Sequence, residues 1–79
     1  MLSLNTFDRV KEIIMVTLGC EEDAVTLDAN LFEDLGADSI DMIEMAVVIE
    51  EEFGLNISNE EVGRLTTINN VIQYVDSHQ

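Results

Sequence analysis

Proline and tryptophan are absent from this 79-residue chain, and its only aromatic residues are three phenylalanines and one tyrosine. So few aromatic side chains, in a chain that is 47% hydrophobic, favour compact helices over a sheet sandwich. A chain of this length has room for one core, so we expect a single domain over residues 1–79. No long apolar run or basic leader is visible, which predicts a cytoplasmic protein or the mature form of an organellar one.

Basic residues are also scarce. Three of them face seventeen acidic residues, giving a formal net charge of −14 at pH 7. Binding to nucleic acid or to an anionic membrane needs positive charge, so we expect neither as a partner. Basic protein surfaces are the natural partners of a monomer with this charge. An acidity that serves only solubility is an equally open alternative.

The chain has a single cysteine, Cys20, and a single histidine, His78. One cysteine excludes an internal disulfide, and the two residues together are too few for a zinc site. A buried structural thiol is the favoured interpretation of Cys20. His78 lies in a polar tail that begins at Asp76 and is expected to fray, so no Ser-His-Asp relay is predicted.

The acidic stretch after Cys20 was compared with a calcium-binding loop. Asp28 and Asn30 fit the first ligand positions of an EF-hand. Phe32 and Glu33 then stand where an oxygen ligand and a glycine are required, which excludes that motif. We therefore predict no metal site, no catalytic residue and no enzymatic activity.

Apolar residues at helical spacing and capping residues predict four helices. Their expected bounds are Asn5 to Gly19, Ser39 to Phe53, Ser58 to about Arg64, and Thr67 to Val75. Residues 20–38 form a long crossover with apolar anchors at Val25, Leu27, Leu31, Phe32 and Leu35. The predicted fold is all-α, an irregular four-helix bundle with three longer helices, one short helix and a long first crossover loop.

The second helix carries two apolar faces. Its core face holds Met42, Met45, Ala46, Ile49 and Phe53. Ile40, Ile43 and Val47 lie on a different side, next to acidic residues. This second strip predicts a docking face in which Ile43 and Val47 fill apolar sites while Glu44, Glu50 and Glu51 meet basic residues. The alternative is that a small bundle wraps apolar residues all around its central helix.

The second helix begins within the sequence G-A-D-S-I-D, residues 36–41. Gly36 permits a turn, Asp38 caps the helix and Asp41 strengthens its start. The Ser39 hydroxyl then lies at a helix N-terminus, where the helix dipole favours an anion such as a phosphodiester. On position alone, a serine with only a capping role is the more common case.

Residues 36–40 resemble the G-A-D-S-L attachment motif of acyl carrier proteins of type II fatty acid synthesis. The likeness runs from about Arg9 to Gln79, through residues 9–14, 33–36, 50–53 and 65–68. Four positions depart from the family pattern: Ile40 replaces leucine, Ser58 and Asn59 replace proline and aspartate, and Gly63 replaces an acid.

This resemblance implies that Ser39 is esterified by 4′-phosphopantetheine, which a separate Mg²⁺-dependent phosphopantetheinyl transferase donates from coenzyme A. Asp38 is then adjacent to the attachment site. The thiol of the arm carries acyl chains as thioesters to ketosynthases, reductases, a dehydratase and a malonyl transferase with basic surfaces. The implied docking residues are Asp41, Ile43, Glu44, Val47, Glu50 and Glu51, and the implied residues around a sheltered acyl chain are Met42, Met45 and Ile49.

Two other functions stay open at this point. One is a carrier for polyketide or peptidyl units, which shares the attachment serine. The other is an acidic interaction domain in which Ser39 is only a helix-start residue and no covalent group is attached.

Overall fold

A computed structural model describes residues 5–78, and this part of the chain is helical without β-strands. Its helices are α1 (Thr6–Leu18), α2 (Ser39–Phe53), α3 (Asn59–Val62) and α4 (Ile68–Ser77). The all-α bundle, with three longer helices, one short helix and a long first crossover, is therefore confirmed. Residues 1–4 and Gln79 lie outside the described residues. The structure therefore does not address the predicted lack of a basic leader or the ends of the predicted domain.

Local capping sets the bounds of the two longest helices. The Asn5 side chain accepts a hydrogen bond from the Asp8 N–H at 2.8 Å and begins α1 as predicted. Both α1 and α2 end at a glycine with a left-handed backbone, Gly19 (φ 69°) and Gly54 (φ 67°). The predicted bounds of these helices are correct because their signals lie within a few residues of each end.

The third helix is shorter than predicted. It ends at Val62 rather than near Arg64, and Gly63 is its C-cap. The glycine therefore terminates α3 and does not weaken its interior. Ser58 supplies the predicted N-cap, accepting from the Glu61 N–H at 3.2 Å.

The fourth helix is longer than predicted. It continues through Asp76 to Ser77, whose hydroxyl donates to the Gln73 carbonyl oxygen at 2.8 Å. The Asp76 carboxylate also accepts a hydrogen bond from the Thr6 hydroxyl at 2.7 Å. The His78 ring stacks on Tyr74 with centroids 4.0 Å apart. The expectation of a fraying tail from Asp76 is wrong for the helical residues up to Ser77, because two contacts within α4 and its C-cap and one distant contact with Thr6 hold them.

The core lies where α1 packs against α2 and α4. On α2, the predicted core residues are buried except Phe53, which is half-buried beneath the Arg9 guanidinium at 4.2 Å from its ring centroid. No polar side chain is fully buried within residues 5–78. The most deeply buried side chains are Val10, Ile14, Val25, Leu31, Met45, Ile49, Ile68, Val71 and Val75.

The long crossover lies across the start of α4. The carbonyl oxygens of Ala29 and Leu27 accept from the N–H groups of Ile68 (3.1 Å) and Asn69 (3.0 Å). The first N–H groups of a helix have no partner inside it, so the crossover satisfies two of them. This contact explains how so long a connection is held in a small domain.

Several details of the crossover were not predicted. It contains a 3₁₀ turn at Glu22–Ala24. Among the predicted anchors, Val25 and Leu31 are buried and Leu35 is half-buried. Leu27 and Phe32 are 48% and 41% exposed, so their prediction as anchors is wrong. Cys20 is half-buried rather than buried, with its Sγ 3.9 Å from the Ile14 carbonyl oxygen.

Among residues 5–78, no helix combines the length and the hydrophobicity needed to span a membrane.

Candidate functional site

The segment that leads into α2 is held by backbone hydrogen bonds. Leu31 donates its N–H to the Thr66 carbonyl oxygen at 2.8 Å, and Ala37 donates to the Leu31 carbonyl oxygen at the same distance. Between them, Gly36 adopts φ 71°, a conformation that other residues take only at a cost. The chain therefore reaches the start of α2 from a point fixed against the segment before α4.

Asn30, considered above only as a calcium ligand, organises the turn before this segment. The Asn30 Oδ1 accepts from the N–H groups of Phe32 and Glu33, both at 2.9 Å. The Asn30 N–H donates to the Asp34 carboxylate at 2.7 Å. The spacing of Asn30 and Glu33 is typical of a helix N-terminus, so a capping signal was present in the sequence.

The start of α2 is a reciprocal capping box. Asp38 Oδ1 accepts from the Asp41 N–H at 2.8 Å, and Asp41 Oδ2 accepts from the Asp38 N–H at 3.1 Å. Ser39 is the first residue of the helix and is exposed. The two carboxylates therefore fix the backbone on both sides of Ser39 and leave its hydroxyl accessible.

The hydroxyl of Ser39 differs from those of the other serines in residues 5–78. The Ser58 hydroxyl is hydrogen-bonded to the Glu61 carboxylate at 3.0 Å, and the Ser77 hydroxyl donates to Gln73. Within the described part of the chain, the Ser39 hydroxyl makes no hydrogen bond. Among the serines of residues 5–78, Ser39 is thus the one that is exposed and whose hydroxyl makes no hydrogen bond within this part of the chain.

The electrostatic surroundings of Ser39 are mixed. The helix dipole favours an anion at this position, whereas the carboxylates of Asp38 and Asp41 oppose one. Within residues 5–78, the ion pairs are Arg9–Glu52 (3.8 Å) and Lys11–Glu22 (3.9 Å), and neither includes these aspartates. A phosphodiester at Ser39 would therefore add to an uncompensated negative region that a basic partner surface can neutralise.

A groove of about 220 Å³ opens beside Ser39. Met42 forms part of its wall, whereas Met45 and Ile49, expected around the same cavity, are fully buried in the core. The groove runs between α2, α3 and the crossover, so it connects the exposed hydroxyl with apolar surface. Its lining residues include Phe32, Ser39, Met42, Ile43, Asn59 and Val62.

The second apolar strip of α2 is open to solvent. Ile40, Ile43 and Val47 are 66%, 56% and 47% exposed, and Glu44 and Glu51 are exposed beside them. Scattered apolar side chains are ordinary on a surface, but three on one face of one helix form a patch. The patch begins next to Ser39 and is bordered by carboxylates.

Two of the acids predicted for docking are engaged inside the molecule. Asp41 closes the capping box and is half-buried. Glu50 is also half-buried, and its Oε2 accepts from the Ile57 N–H at 2.7 Å. The structure thus brings Glu44 and Glu51 together with the apolar patch, while Asp41 and Glu50 each have a structural partner.

The ionisation of two residues near α3 is shifted. Hydrogen bonds from the Ser58 N–H and hydroxyl lower the pKa of Glu61, with a smaller contribution from Tyr74. Partial burial raises the pKa of Tyr74, and the neighbouring Glu61 carboxylate raises it further. Both shifts belong to the contact between α3 and α4, on a different part of the molecule from the capping box at Ser39.

The described residues contain no group of three or more histidine, cysteine, aspartate or glutamate side chains arranged to hold a metal ion. The polar groups described near Ser39 are the two capping carboxylates and Asn59, which lines the same groove, and the single histidine, His78, stacks on Tyr74 at the end of α4. Ser39 is therefore an exposed serine at a helix start with no histidine beside it among residues 5–78.

Comparison with known protein families gives a match over residues 8–75 to a family described as a phosphopantetheine attachment site. The chain belongs to this family. Proteins of the phosphopantetheine attachment-site family are non-catalytic carriers that bear covalent 4′-phosphopantetheine, so the expected cofactor and carrier role are confirmed. Carrier domains of this kind are modified by a phosphopantetheinyl transferase and interact with partner enzymes.

Proposed function

We propose that this phosphopantetheine carrier is an acyl carrier protein of fatty acid synthesis, loaded on Ser39. The observation that carries the proposal is the exposed, unengaged Ser39 hydroxyl at the start of α2, inside the matched region. The G-A-D-S context and the acidic α2 support the fatty acid role. The same proposal makes residues 1–79 one carrier domain and gives it a cytoplasmic location.

Ser39 acts in this proposal as an acceptor of the group and not as a nucleophile toward substrates. Asp38 and Asp41 hold the helix start, so the hydroxyl stays at a defined place where a transferase can reach it. The prosthetic group supplies a thiol that carries acyl chains as thioesters. A flexible tether raises the local concentration of its cargo at each partner enzyme.

Partner enzymes dock on the exposed face of α2 in this account. Ile43 and Val47 present apolar side chains, and Glu44 and Glu51 present exposed carboxylates, without an ion pair among residues 5–78, that fit lysine and arginine residues. Asp41 and Glu50 contribute negative charge from the flanks while keeping their internal hydrogen bonds. The proposed partners are a phosphopantetheinyl transferase, ketosynthases, reductases, a dehydratase and a malonyl transferase.

The groove beside Ser39 is the proposed shelter for the first part of an acyl chain. Its volume of about 220 Å³ fits a short aliphatic segment, and Met42 offers an adaptable apolar wall. A longer chain would have to displace the packing of Met45 and Ile49, which are fully buried.

Loading is tested by intact mass after incubation with coenzyme A, Mg²⁺ and a broad-specificity phosphopantetheinyl transferase. Wild type should gain one phosphopantetheine and Ser39→Ala none. Ser58→Ala is the matched control and should load like wild type. An unmodified wild type would favour the acidic interaction domain, and loading of Ser39→Ala would place the attachment elsewhere.

The choice of pathway is tested with the loaded protein. In side-by-side assays, a malonyl transferase and ketosynthase of fatty acid synthesis should turn it over with a higher kcat/KM than their polyketide or peptide-synthesis counterparts. The Glu44→Gln, Glu51→Gln double variant should raise KM for the fatty acid enzymes, most strongly at low salt. The Glu21→Gln, Asp23→Asn double variant, at two exposed acids in and next to the 3₁₀ turn, is the control for the loss of two charges. A reversed enzyme preference would assign the polyketide or peptidyl role.

A further inference from the structure

The position of α3 depends on very few contacts. The helix has four residues and no fully buried side chain, and its own contacts with the bundle are Val62, half-buried against the core, and Glu61, which lies beside Tyr74 of α4. Its capping box joins Ser58 and Glu61 within the same turn and so does not attach it to the bundle. The nearest buried residues are Ile57 before it and Leu65 after it. With so few contacts of its own, the helix also depends on how the segment before it is held.

Two side chains from different helices hold that segment. Glu50 of α2 accepts from the Ile57 N–H at 2.7 Å, and Tyr74 of α4 donates its hydroxyl to the Asn56 carbonyl oxygen at 2.9 Å. The first bond has a carboxylate acceptor, which makes it stronger than a bond between neutral groups. Adjacent backbone groups are thus fastened to both sides of the bundle.

The groove beside Ser39 shares a wall with this helix. Asn59 and Val62 of α3 face Met42 and Ile43 of α2 across it. A displacement of α3 therefore changes the width of the groove, whereas the hydrogen bonds described for the capping box at Ser39 involve neither Glu50 nor Tyr74.

We propose that Glu50 and Tyr74 are positioning residues that together fix α3 and so set how far the groove beside Ser39 opens. The consequence for a carried acyl chain rests on the proposed function, but the attachment of α3 does not. Glu50 then has a role distinct from Glu44 and Glu51, which remain free for a partner. Tyr74 acts from the opposite side of the same backbone segment.

Amide hydrogen exchange in the protein without its prosthetic group tests the attachment directly. A hydrogen bond to a charged group is worth about 1.5–3 kcal/mol, so Glu50→Ala should speed exchange of the Ile57 amide about tenfold to hundredfold. Glu50→Gln keeps an acceptor oxygen, but its hydrogen bond is about half as strong. Exchange of the Ile57 amide should therefore be about threefold to tenfold faster than in wild type. Tyr74→Phe should speed exchange at Ile57 and through α3 without changing the amides of α1.

Glu51→Ala is the matched control, because it removes the same charge from the neighbouring exposed position. Exchange at Ile57 should be unchanged in this variant. Equal exchange in Glu50→Ala and wild type, or equal acceleration by Glu51→Ala, would overturn the proposal. Far-UV circular dichroism checks that each variant is folded, and the isosteric Glu50→Gln and Tyr74→Phe variants test the attachment if Glu50→Ala unfolds.

A second readout uses the loaded protein. With a medium-length acyl thioester on the arm, Glu50→Ala and Tyr74→Phe should increase the rate of cleavage by hydroxylamine, while Glu51→Ala should match wild type. Unchanged cleavage in both positioning variants would contradict the link to the groove. If the chain accepts no phosphopantetheine, the proposed function is refuted. The hydrogen-exchange result would still test whether Glu50 and Tyr74 hold α3, because it uses the protein without its prosthetic group.

Discussion

The capping box at the start of α2 allows a quantitative prediction. Asp38→Ala removes the oxygen that accepts the Asp41 N–H at 2.8 Å and leaves that N–H at the helix end without a protein partner. Loss of an N-cap acceptor costs about 0.5–2 kcal/mol, and for an exposed cap we expect about 1 kcal/mol. In a domain of this size, that lowers Tm by about 4–8 °C.

The assay is thermal unfolding followed by circular dichroism at fixed salt. Asp38→Asn keeps an acceptor oxygen and removes one charge beside Asp41, so its Tm should equal or exceed that of wild type. Ser39→Ala, at the next position, loses no hydrogen bond within the described residues and should also melt like wild type. The reasoning is refuted if Asp38→Asn melts as low as Asp38→Ala, or if both match wild type.

Three further predictions concern stability and ionisation. Leu31→Ala, at a fully buried position, should lower the free energy of unfolding in urea by about 2–5 kcal/mol; a loss below about 1 kcal/mol would contradict the role of Leu31 in the core. Raising salt from about 0.01 to about 0.15 M should raise Tm, because screening weakens repulsion in a chain of net charge −14; a lower Tm would refute this. Tyr74 is the only tyrosine, so absorbance reports its pKa alone, which should lie above 10.0 and fall in Glu61→Gln. Since the folded pKa is the higher one, the stability due to Tyr74 is present below the unfolded pKa and lost as pH rises through the folded value.

The parts of the fold that follow from local signals were predictable. The caps Asn5 and Asp38 and the terminal glycines Gly19 and Gly54 specify α1 and α2 within a few residues of each helix end. The exposed strip on α2 was also predictable, because its position follows from helical periodicity alone.

The features that sequence analysis missed depend on contacts between distant residues. The extension of α4 includes a hydrogen bond from Thr6 to Asp76, seventy positions apart. The hydrogen bonds from the Ile57 N–H to Glu50 and from the Tyr74 hydroxyl to the Asn56 carbonyl oxygen depend on how α2 and α4 pack, which no local pattern specifies. The 3₁₀ turn at Glu22–Ala24 is too short to show a period.

At the candidate site too, local sequence signals were predictable and contacts between distant residues were not. Ser39 could be singled out from its motif and its place at a helix start. Its distinction from Ser58 and Ser77 became visible only in the structure, where those two hydroxyls are hydrogen-bonded. The groove beside Ser39 likewise requires the placement of α3 and Phe32.

Peptide mapping of the loaded protein identifies the serine that bears the phosphopantetheine. Trypsin should release residues 12–64, a peptide that contains both Ser39 and Ser58. Fragmentation by mass spectrometry then separates the two serines within one molecule. The account predicts a single phosphopantetheine on Ser39 and an unmodified Ser58. Phosphopantetheine on Ser58, or on a serine outside this peptide, would contradict it.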